Sequence, residues 1–171
     1  TTGSLEITNG GISSGELTGQ GSLNISGGEL AISSNNNEEL EANITINQNA
    51  ALTLNSGVGS GDINLTGALN INNDITLINK LNGTGALNIN NNVLIARANA
   101  GFEGTVKIND NATLTIQQYS KALGTSSINL EGTNSQLSIT SITQNSQIKN
   151  AISGDGIVNI NTNSDVTLAA N

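Results

Sequence analysis

The chain has 171 residues and a formal net charge of −8, and its basic residues are five: Lys80, Arg97, Lys107, Lys121 and Lys149. They cannot be assembled into the cationic stripe that displaces counterions from phosphates, which excludes nucleic-acid binding and disfavours an anionic membrane surface. Cys and His are absent, and with them go disulfides, the usual metal ligands, cysteine nucleophiles and histidine bases.

Taken from the N-terminus, the chain is a series of aliphatic–polar–aliphatic triplets separated by Gly, Asn, Ser and Thr. Leu5/Ile7, Leu23/Ile25, Leu30/Ile32 and Ile44/Ile46 open the series, and Leu52/Leu54, Ile63/Leu65, Leu69/Ile71 and Ile75/Leu77 follow. Leu87/Ile89, Val106/Ile108, Leu114/Ile116, Ile128/Leu130, Leu137/Ile139, Val158/Ile160 and Val166/Leu168 carry it to the end, and Val93-Leu94-Ile95 is the one triplet that breaks the alternation. Period-two alternation predicts short strands with one buried face, and no segment has a helical period. Pro is absent, as suits strands that need their N–H groups on both sides. One Phe and one Tyr are the only aromatics. A wide core normally uses such residues as filler, so this core is predicted to be narrow and lined by stacked aliphatics. Asn35–Glu41 (NNNEELE) and Ala96–Gly101 (ARANAG) interrupt the rhythm and are predicted to project as loops.

The hexapeptide GALNIN at Gly67–Asn72 returns letter for letter at Gly85–Asn90. Looser copies are GSLEIT at Gly3–Thr8, GSLNIS at Gly21–Ser26, GELAIS at Gly28–Ser33, GDINLT at Gly61–Thr66 and GTVKIN at Gly104–Asn109. Related triplets recur at 18 (Leu5 to Leu23), 21 (Leu23 to Ile44), 19 (Ile44 to Ile63), 18 (Leu69 to Leu87), 19 (Leu87 to Val106) and 22 positions (Val106 to Ile128). A sandwich gives no reason for an intermediate strand to return in the same phase between such pairs. A solenoid does. The fold predicted is all-β: a right-handed parallel β-helix, a single-stranded solenoid with coils of about 20 residues and a rod roughly 40 Å long. The 30 Asn fit the same picture, since Asn tolerates left-handed corners and stacks into amide ladders.

From Phe102 the chain reads FEGTVKINDNATLTI, then SKALGTSSINLEG (Ser120–Gly132) and IKNAISGDGIVNI (Ile148–Ile160). Together with KLNGTGALNI (Lys80–Ile89), these segments resemble passenger domains of bacterial type V autotransporters of the adhesin type. The resemblance extends over Ile75–Leu168, with the earlier part looser, and it lies in structural residues. It implies export across the outer membrane, a cell-surface or secreted location, and a role in adhesion or self-association. It also implies a C-terminal translocator barrel in the full-length protein. Residues 1–171 are accordingly expected to be one continuous β-helix segment excised from a longer passenger. The N-terminal TTGSLEI has neither the basic region nor the apolar core of a secretory signal, and no apolar run is long enough to insert in a membrane.

Chemistry is sparse along the chain. Glu38, Glu39 and Glu41 are the densest acidic group, and they have no base or cation near them in sequence, so they read as a solvated loop. Arg97 is the only arginine, which leaves little for a carbohydrate-active β-helix built on carboxylates and cations. GVGSGDINL (Gly57–Leu65) is one imperfect copy of a calcium-binding nonapeptide whose sites need tandem copies, and corner glycines are the better reading. Phe102 and Tyr119 flank a strand pair, and they either stack on a ligand or cover the core at a corner. No catalytic, metal or cofactor site is expected, and no enzymatic activity. The candidate surface contacts are Glu38, Glu39, Glu41, Arg97, Phe102 and Tyr119. The partners expected are a host surface glycan or protein, or another copy of the chain. The alternatives are a structural stalk, a folding-nucleus (autochaperone-like) segment near the passenger's C-terminus, and, more weakly, the carbohydrate-active β-helix.

Overall fold

The computed structural model describes residues 2–34, 37–117, 121–140 and 146–168. Twenty short strands occur among them, every pairing is parallel, and no helix is present. The chain winds through about eight coils, each laid on the one before, so the structure is a parallel β-solenoid as the repeat spacing predicted.

Three main sheets run along the rod, each taking one strand from every coil that it covers. The longest has eight strands: Gly11–Ser13, Gly28–Ile32, Ala50–Leu54, Ala68–Ile71, Ala86–Ile89, Thr105–Ile108, Ser127–Leu130 and Ile152–Gly154. A second sheet covers the first five coils: Thr2–Ile7, Gln20–Ile25, Asn43–Ile46, Ile63–Leu65 and Leu81–Asn82. A third begins only at the fourth coil: Ile75–Leu77, Asn92–Ile95, Thr113–Gln117, Gln136–Thr140 and Ile157–Asn161. A short pair, Ser146–Ile148 with Val166–Leu168, closes the last two coils. The second and third sheets therefore overlap in the fourth and fifth coils, and elsewhere one replaces the other.

Register is set by the repeats. The GALNIN copies superpose residue on residue, with Leu69 against Leu87 and Ile71 against Ile89. Leu30, Leu52, Leu69, Leu87, Val106 and Ile128 form one inward column, and all are buried. Each is a branched aliphatic of similar volume, so the column fills without aromatics. Burial of each such side chain contributes about 1.5–3 kcal/mol. Val93-Leu94-Ile95 is chemically uniform yet alternates like the rest: Val93 and Ile95 are buried and Leu94 points outward, half-buried. The strand pleat decides the faces there, and the aliphatic outer position is tolerated.

The glycines that open the second GALNIN copy and GTVKIN have a steric reason. A Cβ on Gly85 would meet the carbonyl oxygen of Gly67, and one on Gly104 the carbonyl oxygen of Gly85. At these two positions the backbone of the coil rests on the backbone below, leaving no room for a side chain, although the same corner holds Ala50 in the third coil.

Two expectations are corrected. ARANAG does not project, because Asn99 is fully buried at its centre, and Asn37 is likewise buried within NNNEELE. Residues 96–101 and 37–41 are corners pinned by an inward amide. Phe102 is also fully buried, so it is a core residue and not a surface contact. It sits where the second sheet ends, bridged to Gly83 of the coil below, and its ring fills the space a strand pair no longer occupies. At the rod's ends, Leu5 (50%) and Ile12 (78%) in the first coil and Ile157, Ile160 and Leu168 (about 45% each) in the last lie exposed. Leu5, Ile160 and Leu168 have buried counterparts in the neighbouring coil, Leu23, Ile139 and Ile148, whereas Ile12 and Ile157 face outward in register with Ala31 and Gln136.

Candidate functional site

From the third coil onward, outward positions of the eight-stranded sheet carry polar side chains in register: Thr53, Asn70, Asn88, Lys107, Asn129 and Ser153, where the first two coils have Ile12 and Ala31. They bond to one another along the rod axis. Asn88 Nδ2 donates to Asn70 Oδ1 (2.8 Å), Asn70 Nδ2 donates to Thr53 Oγ1 (3.1 Å), and the Thr53 hydroxyl donates to Glu29. Further along, Lys107 Nζ lies 3.2 Å from Glu131 Oε1, which also accepts from Asn129 Nδ2 at 2.8 Å. Strand spacing sets these groups about 4.8 Å apart. The face is thus a pre-ordered row of amides, hydroxyls and charges with no enclosed pocket.

A second ladder lies at the adjoining corner. Asn90 Nδ2 donates to Asn72 Oδ1 at 2.7 Å, and Asn109 donates to Asn90. These amides work through their side chains. The left-handed backbone expected of corner asparagines occurs, among the described residues, at Asn49 (φ 68°) and Asn111 (φ 65°), and most other such corners use glycine.

Inside the corners, asparagine clamps coils together. Asn99 accepts from Leu81 N–H at 2.8 Å, and its Nδ2 donates to Ala122 O at 2.7 Å. Asn79 Nδ2 donates to Val58 O (3.0 Å) and Gly61 O (2.7 Å). Asn37 accepts from Leu17 N–H at 2.9 Å, and Asn150 Nδ2 donates to Ser126 O at 2.7 Å. Irregular corners leave backbone groups unpaired in a dry interior, and a buried amide supplies both a donor and an acceptor to meet them.

The third sheet starts above a coil that has no strand there, and a groove of about 410 Å3 opens at that step. Glu38, Gly57, Val58, Asp74, Thr76 and Ile78 line it.

An uncharacterized lipoprotein of Escherichia coli K12, YdeK, is 34% identical to the chain over 162 residues. The alignment takes in 91% of this chain, which spans 12% of the length of that protein. No family model matches the chain, and no solved structure matches it.

The structure does not bring the sequence candidates together. Glu38, Glu39 and Glu41 are exposed on the turn between the second and third coils, where Gln20 Nε2 donates to Glu41 Oε2 at 2.6 Å. Arg97 is exposed on the corner between the fifth and sixth coils. Tyr119 lies outside the described residues. Among the described residues, no three Asp or Glu side chains cluster as metal ligands would. Gly57 and Gly59, from the calcium-like stretch, form the floor of the groove at the step. Sequence reasoning passed over Asp74, Thr76 and Ile78. A signal for them existed: Asn55–Asp62 has a single large aliphatic, Val58, where a triplet would be needed to pair with Ile75/Leu77.

Proposed function

We propose that the chain is a non-enzymatic stretch of a β-helical rod displayed on, or secreted from, the bacterial envelope, and that its side faces attach to a host surface glycan or protein or to another copy. The observation that carries this reading is the outward row from Glu29 through Thr53, Asn70 and Asn88, in which each polar group is already oriented by its neighbour. Ordering these side chains in advance lowers the entropic cost of binding. A row repeating from the third coil to the eighth multiplies individually weak hydrogen bonds. The similarity to a lipoprotein supports an envelope location for the longer polypeptide, and the passenger-like segments support export by an autotransporter route. Apart from Glu38, Glu39 and Glu41 on one exposed turn, the carboxylates are dispersed over separate coils, which supports a binding role over a hydrolytic one.

The test is deletion of residues 1–171 from the full-length protein, followed by clumping, attachment to host cells, and protease resistance of the remainder. Attachment is expected to fall while export and protease resistance persist. A protease-sensitive remainder would replace the adhesive reading with a folding-template role. Cleavage of an acidic polysaccharide by the purified protein would overturn the non-enzymatic assignment.

A further inference from the structure

The strand Ile75–Leu77 is hydrogen-bonded on one side only. It pairs with Asn92–Ile95 above, while the coil below passes through residues 55–60 as bends and irregular chain. In a parallel ladder a residue's N–H and C=O face one neighbour, and the next residue's face the other. The Leu77 carbonyl accepts from Ala96 N–H at 3.2 Å, toward the coil above. The peptide groups of Thr76 and Ile78 therefore face the groove, and among the described residues no strand takes them.

The groove is shaped to receive a chain. Its floor includes Gly57, where a side chain would meet nothing within 4 Å, so the way to the strand edge is open. Ile78 stands at its side, 44% exposed. The other large exposed aliphatics among the described residues belong to the first and last coils, so Ile78 is the one displayed away from the rod's terminal coils. Glu38 and Asp74 line the same groove, and no basic side chain does.

We propose that this edge is a docking site for an extended peptide segment of a partner protein, added as a further strand beneath Ile75–Leu77. The partner chain exchanges backbone hydrogen bonds with Thr76 and Ile78, lays an aliphatic side chain against Ile78, and sets a Lys or Arg toward Glu38 and Asp74. Strand addition to an exposed edge draws affinity from main-chain bonds and specificity from alternate side chains, and free edges are where such pairing occurs. An oligosaccharide could meet the carboxylates but would leave the apolar contact and the strand register unused. This names a partner class for the adhesive role and rests on that reading.

The probe is a short synthetic peptide of alternating valine and lysine, titrated against the purified full-length protein. Two controls accompany it: the same peptide N-methylated at alternate amides, and one with glutamate in place of lysine. Binding is expected to the first alone, weakening with salt and dropping about tenfold or more in each of two variants, Ile78→Glu and Gly57→Leu. Gly57→Leu fills the groove at a position with free space, so its thermal unfolding is expected to match the parent. Equal binding of the N-methylated peptide, indifference to both variants, no peptide binding, or binding of an oligosaccharide instead would each overturn the proposal. If the segment deletion abolishes attachment but Ile78→Glu and Gly57→Leu do not, the adhesive rod stands and this site falls. If the peptide binds as expected but the deletion spares attachment, the site stands and the adhesive role falls.

Discussion

Asn99→Ala removes a buried amide that ties three successive coils. Its oxygen accepts from Leu81 in the fifth coil, and its nitrogen donates to Ala122 in the seventh. Leu81, Asn99 and Ala122 are all at 0% exposure, so water cannot replace the lost bonds without opening the corner. Each orphaned buried group costs about 1–3 kcal/mol, which sums to roughly 2–6 kcal/mol for the pair. Urea unfolding followed by far-UV circular dichroism measures the shift. Asn99→Asp sharpens the test. One carboxylate oxygen can still accept from Leu81, but the other meets the Ala122 carbonyl and repels it when ionised. Burial raises the folded-state pKa of such an Asp above its unfolded value of about 3.9. The penalty is then complete above the folded pKa and disappears as pH falls below about 3.9, where the protonated acid donates again. The gap between Asn99→Asp and the parent, compared at matched pH, should therefore narrow on acidification. A loss under about 0.5 kcal/mol for Asn99→Ala, in the range of surface substitutions, would refute the clamp and restore ARANAG as a solvated loop. A pH-independent gap for Asn99→Asp would refute it as well.

Leu87→Ala should cost about 2–5 kcal/mol in the same assay, and a double-mutant cycle with Leu69→Ala should give coupling of about 0.5–3 kcal/mol, since the two stack directly. Strict additivity would contradict that contact. Gly85→Ala should destabilise strongly, because its methyl meets the Gly67 carbonyl oxygen, whereas Gly57→Ala should be neutral or stabilise by about 0.4–1 kcal/mol; thermal unfolding of the two compares them. Lys107→Met should shift stability by less than about 1 kcal/mol, because the pair with Glu131 is nearly half exposed on both sides. A larger change in thermal midpoint would assign this pair a weight that its exposure argues against.

The solenoid was legible because its two signals are independent and agree. Alternation within each triplet names the strands, and the return of related triplets after 18 to 22 positions places them above one another. Leu69 and Leu87 could be stacked on paper. The corners were illegible for a physical reason. Asn99 and Arg97 sit two positions apart in the same polar run, yet one is buried and the other exposed, and hydropathy cannot distinguish an amide facing backbone from one facing water. Phe102 posed the same problem, since a lone aromatic after a glycine fits a ligand platform and a core plug equally well. The groove at Ile78 escaped notice because Ile75-Thr76-Leu77 looks like every other triplet. Its distinction lies one coil earlier, in what Asn55–Asp62 fails to provide.

The exchange of the second sheet for the third bears on how the rod would carry mechanical load. Its strands lie across the long axis and its hydrogen bonds along it, so tension between the ends acts on one coil's bonds at a time, and a coil can be stripped without disturbing those beyond its neighbour. Resistance then varies with the number of strands each coil contributes, and it is greatest between the fourth and fifth coils and again between the seventh and eighth, where three strands are paired at once. Peeling from the N-terminal tip should stall at the splice of the second and third sheets, leaving a remnant able to re-template the lost turns when the pull relaxes, while the C-terminal tip is held by three paired strands of its own.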